Sequence, residues 1–267
     1  NVAVGYNALS ADDVGQHNVA IGRDALAAQN TSTAANIYNV AVGSSAGTAV
    51  TTGVNNTLIG GVAGDAITIG NENTALGYNS LGANVSGDRS TAIGYGALAA
   101  QNDGTSTYDA NNTAVGYNAM ATISTGLRNV AVGAGALDAE DTGSRNVAIG
   151  FSALSTLNYD GSGYNVAVGY DAGAAVTTGT NNTLIGSQAG DALDTGDNNS
   201  VLGASALGAA TKSDRNVAVG KDALTTLNHT TQTDSYNIAV GFQSGLVMTT
   251  GVENTLIGGL AGDALID

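Results

Sequence analysis

The chain has 267 residues, with 39 Gly, ten Tyr, two Phe and no Pro, Cys or Trp, and its seven Lys and Arg face 22 Asp and Glu for a net charge of −15. That balance repels phosphate backbones and anionic headgroups, so it argues against nucleic-acid and membrane partners. Without Cys there is no disulfide framework and no thiolate chemistry, and no apolar run reaches the length of a membrane-spanning helix.

Taken from its first residue, the chain is self-similar. The motif Asn-[Val/Thr/Ser/Ile]-[Ala/Leu/Val]-[Val/Ile/Leu]-Gly starts fifteen units, at Asn1, Asn18, Asn39, Asn56, Asn73, Ser90, Asn112, Asn129, Asn146, Asn165, Asn182, Asn199, Asn216, Asn237 and Asn254. Ten units are 17 residues long. A short fixed period of this kind marks stacked repeats, each unable to bury its apolar face alone. The expected fold is all-β: a parallel β-solenoid or β-roll of about fifteen coils of 17–22 residues, running as one continuous array over residues 1–267.

Within each unit, the second to fourth places predict a short parallel strand, because β-branched and small apolar residues dominate there. The first place carries Asn in every unit but one, as in Asn1, Asn18, Asn39 and Asn56, and predicts a ladder of stacked amides. The fifth is Gly throughout, beginning with Gly5, Gly22, Gly43 and Gly60, and predicts a corner with positive φ or too little room for a Cβ. The eighth is always Ala or Ser, a tight buried place. Gly at the fifteenth place of nine of the ten 17-residue units marks a second turn. The ninth place alternates between Leu or Met and pairs of Gly (Gly47 with Gly64, Gly173 with Gly190, Gly245 with Gly262), as duplication of a block of about four coils would produce.

Four longer units predict ejected loops at Ala27–Tyr38, Ala99–Asn111, Ser155–Tyr164 and Thr225–Tyr236. Tyr38, Tyr108, Tyr159, Tyr164 and Tyr236 are candidate receptor contacts, since Tyr offers large contact area at low entropic cost. They could equally cover the coil edge beneath the loop. Arg89, Arg128, Arg145 and Arg215 close their units and read either as surface ion pairs or as clamps between chains.

The strand pattern is apolar on both faces. With the second and fourth residues turned into the coil, the third would face outward against neighbouring chains. A homotrimer interface through Ala3, Ala20, Leu58, Ala131, Leu184 and Leu256 is expected on that basis, and end-to-end stacking of coils is a further form of self-assembly. Catalytic and metal-binding residues are not expected, nor a cofactor. Gly43-Ser44-Ser45-Ala46-Gly47 matches the nucleophile-elbow spacing, but it falls on an ordinary Gly corner, and only His17 and His229 could serve as imidazole bases. Asp65, Asp191 and Asp263 recur as turn aspartates without the ligand density that calcium requires.

Asn1–Leu9 (NVAVGYNAL) and Asn112–Met120 (NTAVGYNAM) resemble the head repeats of trimeric autotransporter adhesins, and more closely the repeat arrays of phage tail-fibre-like proteins. The resemblance covers the whole chain. It implies a left-handed trimeric roll, located extracellularly, on a cell surface or on a virion, that acts as a structural rod or head in surface attachment or spacing. Two other readings are a receptor- or glycan-binding module displaying the loop tyrosines, and a self-stacking extracellular filament subunit. A host-surface glycan or protein would be the partner.

Overall fold

A computed structural model describes residues 1–31, 35–102 and 108–267. The tips of the first two expected loops, residues 32–34 and 103–107, lie outside these. The described residues contain no helix, and the fold is the expected parallel β-solenoid. The chain divides into two compact units, Asn1–Asn129 and Val130–Asp267.

In the first unit the strands are β1 (Val2–Val4), β2 (Gly15–Gln16), β3 (Val19–Ile21), β4 (Ala35–Asn36), β5 (Val40–Val42), β6 (Thr57–Ile59), β7 (Thr74–Leu76), β8 (Gly87–Asp88), β9 (Thr91–Ile93), β10 (Tyr108–Asp109) and β11 (Thr113–Val115). The main sheet has the order β1-β3-β5-β6-β7-β9-β11, all parallel. Register never slips: Val19, Ala20 and Ile21 lie opposite Val40, Ala41 and Val42. The long coils return to the array by pairing two residues with the preceding coil's second turn, β2 with β4 and β8 with β10.

The second unit repeats the plan. Its strands are β12 (Val130–Val132), β13 (Val147–Ile149), β14 (Val166–Val168), β15 (Thr183–Ile185), β16 (Ser200–Leu202), β17 (Ser213–Asp214), β18 (Val217–Val219), β19 (Thr233–Asp234), β20 (Ile238–Val240) and β21 (Thr255–Ile257). The sheet order is β12-β13-β14-β15-β16-β18-β20-β21, with β17 and β19 paired beside it.

The strands face the other way from the sequence expectation. Third-place residues Ala20, Leu58, Ala131 and Leu184 have no exposed surface and line the coil's own interior. Ala3 and Leu256 hold the same place in the first and last coils, where Ala3 is exposed and Leu256 half-buried. The interior is completed by the eighth, ninth and twelfth places, as in Ala25, Leu26, Ile67 and Ile123. The interior place of the strand holds Ala in most coils, Leu beside the ninth-place glycines and Val once, at Val201, while the Val, Ile and Thr of the second and fourth places turn outward. A trimer interface through the third-place residues is therefore ruled out for the coils between the ends, because those side chains are already consumed by the fold.

The core also explains the alternation at the ninth place. Leu26, Leu81 and Leu98 occupy it with φ of 48, 52 and 51°, an uncommon conformation for a bulky residue. Complete burial of all three side chains offsets that strain. Where the ninth residue is Gly, a Leu stands at the third place nearby. A Cβ on Gly47 would lie 2.7 Å from a Leu58 methyl, and one on Gly64 would lie 2.8 Å from the other. Leu58 thus occupies the space above two glycines. Leu184 does the same for Gly173 and Gly190, at 2.7 and 2.9 Å.

Candidate functional site

The most elaborate polar arrangement is the Asn column, and it is built differently from a stack of amides. Asn39 Oδ1 accepts the backbone N–H of Asn56 at 2.8 Å, and Asn39 Nδ2 donates to Gly53 O at 2.7 Å. Asn56 repeats both contacts with Asn73 and Gly70, at 3.0 and 2.9 Å. In the second unit Asn182 does so with Asn199 and Gly196. One side chain therefore joins its own coil's second turn to the next coil's first residue. From Asn18 to Asn237 the column is buried, so these rungs satisfy backbone groups that water cannot reach. Amide-to-amide contacts occur only in places, such as Asn216 Nδ2 to Asn199 Oδ1 at 3.0 Å.

The two recurrent glycines frame this column. Gly43 sits at φ 142°, and a Cβ there would lie 2.3 Å from Gly60 O. Gly53, whose carbonyl receives Asn39, has no special φ; a Cβ would instead lie 2.4 Å from Gly70 O. The corner Gly is required by conformation and by space, the turn Gly by space alone.

The twelfth place holds residues that sequence reasoning passed over. Ser90 lacks the reach of Asn, and Gln101 fills in: its Nε2 donates to Ser90 Oγ at 2.9 Å, and its Oε1 accepts from Asn112 Nδ2 at 3.0 Å. Gln29 Oε1 likewise accepts from Asn39 Nδ2 at 2.7 Å. Asp12, Asn84 and Glu140 accept the N–H of the Gly three residues on, Gly15, Gly87 and Gly143, at 2.8, 2.9 and 2.8 Å. The signal available in the sequence is a polar residue three places before the turn Gly. Burial raises the Glu140 carboxyl to about 7, partly opposed by hydrogen bonds from backbone N–H groups including that of Gly143.

The loop tyrosines do not converge. Tyr38, Tyr164 and Tyr236 stand at the last place of their coils with φ of 57, 52 and 52°, back on the array and about half exposed. Tyr38 stacks on His17 at 4.9 Å. Arg145 and Arg215 lie over Tyr164 and Tyr236, each 5.5 Å from the ring centroid. Tyr108 and Tyr159 are half-buried, and the Tyr108 ring covers Gly87. Arg89 pairs within the chain with Glu72 at 2.8 Å and with Asp109, and Arg215 pairs with Asp234.

Ser45 lies in a turn with φ 58°, and His17 and His229 are occupied elsewhere. His229 Nε2 meets the Thr250 carbonyl at 3.2 Å, so Nδ1 is left to accept from Ser213 Oγ at 2.8 Å. Ser213 is completely buried, which makes this contact a loop fastening. Burial raises the Asp65 and Asp191 carboxyls above the ordinary range. Among the described residues no group of three His, Cys, Asp or Glu is placed to hold a metal ion, and no helix is long and apolar enough to cross a membrane.

The chain matches no family model, no curated protein and no solved structure. Its function is therefore argued from geometry alone.

Proposed function

We propose that this chain is a structural segment of an extracellular or virion fibre, one that holds other parts at a fixed spacing for surface attachment. The observation that supports this reading is the Asn column: coil after coil, a buried Asn side chain is used to join a coil to the next. Repetition of one bond set suits load-bearing and spacing, because nearly every coil contributes alike. The net charge of −15 favours solubility of such a repetitive surface. Catalysis forms no part of this reading. Immunogold labelling of intact virions and cell surfaces with an antibody to the chain tests it. Decoration of projecting fibres is expected; label confined to the cell interior refutes the proposal.

A second reading, display of a receptor- or glycan-binding surface, draws on Tyr164 and Tyr236, half-exposed beside Arg145 and Arg215. A glycan array probed with the chain and with a Tyr164→Ala, Tyr236→Ala double variant tests this one. Binding that the double variant loses supports display, and binding to nothing leaves spacing alone.

A further inference from the structure

Every coil turns its second- and fourth-place residues outward, and these columns contain only Val, Ile, Leu, Thr and Ser. None of the chain's charged residues falls on them, although acidic residues alone number 22. Val4, Ile21 and Leu76 in the first unit are 58, 38 and 45% exposed; Leu202 in the second is 51% exposed. An exposed sheet face of a strongly acidic protein that carries no charge is a face kept for contact.

A row of aromatic residues borders it just past the Gly corner. Tyr78, Tyr95 and Tyr117 stack at 5.4 and 5.5 Å with nearly parallel rings, and Phe151 and Tyr170 stack at 5.6 Å. Stacking uses many of the ring faces on one another, so much of the row offers edges to a partner.

We propose that this face packs against the same face of a second copy of the chain. Two observations select that occupant. The face is a ridged lattice whose ridges recur at the inter-strand spacing, ~4.8 Å. A partner stays in step over many ridges only if it has the same repeat, and another copy has it by identity. The area is also sufficient. In the first unit, strands β1, β3, β5, β6, β7, β9 and β11 span ~34 Å at that spacing. With the bordering column, which also holds Arg23 in this unit, the contact area is ~15 Å wide, so a facing pair buries roughly 1,000 Å² from this unit, the lower bound for a specific interface. The second unit, with one strand more, offers slightly more.

The pairing deepens the fibre reading by naming a partner, and it can fail independently, since labelling tests location and sedimentation tests the face. Sedimentation equilibrium of the full chain should give twice the 26.1 kDa chain mass. Association should tighten as salt rises from about 0.05 to 0.5 M, because screening relieves repulsion between two acidic chains while the apolar contact persists. Leu76→Glu and Leu202→Glu should each weaken association at least tenfold with circular dichroism and Tm unchanged. Val252→Glu, at a 47% exposed residue off the face, should leave it intact. A monomer at every salt and concentration overturns the proposal. So does a mass of three chains, or a control variant as damaging as the face variants.

Discussion

Coils starting at Asn73 and Asn129 fill their interior with Leu81 or Leu137 at the ninth place and Ala at the third, whereas the pair starting at Asn39 and Asn56 fills it with Leu58 over Gly47 and Gly64. Both solutions leave the interior closed, but the second is shared between two coils. The unit that conserves packing is thus a pair of neighbours, and the glycines at 47 and 64 cannot be read one coil at a time. The twelfth place follows suit. It is apolar beside the glycines, as in Val50 and Ile67, and can be polar elsewhere, as in Gln101 and Glu140.

The largest expected effect breaks what both kinds of coil share. Gly43→Val places a β-branched residue at φ 142° with its Cβ on the Gly60 carbonyl, and should prevent cooperative folding under conditions where the parent chain melts as one transition. Gly259→Ala, with nothing within 4 Å, is the matched control and should shift Tm little.

Next comes the shared Leu. Leu58→Ala opens space over two glycines and should cost about 3–5 kcal/mol in denaturant unfolding. Gly47→Leu alone should also destabilise, by collision with Leu58. The triple change Leu58→Ala, Gly47→Leu, Gly64→Leu converts the pair to the other solution and should recover most of the loss. Failure of the triple to exceed Leu58→Ala alone would show that the two solutions are not interchangeable.

The polar column separates the coils further. Asn56→Ala strands the Asn73 N–H and Gly70 carbonyl and should cost about 2–4 kcal/mol. Gln101→Ala should cost about 1–3 kcal/mol, because Gln101 bridges the Ser90 and Asn112 rungs.

The smallest effect depends on pH. The Glu140 carboxyl is raised from 4.5 to about 7 in the folded chain, so the folded state holds the proton more tightly than the unfolded state. Its contribution to stability is therefore fully present below pH ~4.5 and is lost as pH rises through ~7. Glu140→Gln keeps the acceptor for the Gly143 N–H and removes the charge. It should raise the unfolding free energy above pH 7 by on the order of 2 kcal/mol and flatten the profile between pH 4.5 and 7. An unchanged profile would show that the carboxyl ionises freely.

The sequence by itself determined the period, the strand places, the corner and turn glycines and the long coils, because a repeat exposes each constraint many times over. It also marked the Asn column as structural. It did not determine which strand face is interior, since Val-Ala-Val is apolar on both sides and a period of two is blind to direction. Nor did it show that Leu58 serves two coils, that Gln101 substitutes for a missing Asn, or that Tyr38, Tyr164 and Tyr236 rejoin the array. Those outcomes depend on the width of the coil interior and on which residues of neighbouring coils meet across it. Only the closed coil sets that width: it admits Ala or, at Val201, Val beside a ninth-place Leu, admits Leu where that place is Gly, and turns the Val, Ile and Thr of the second and fourth places outward.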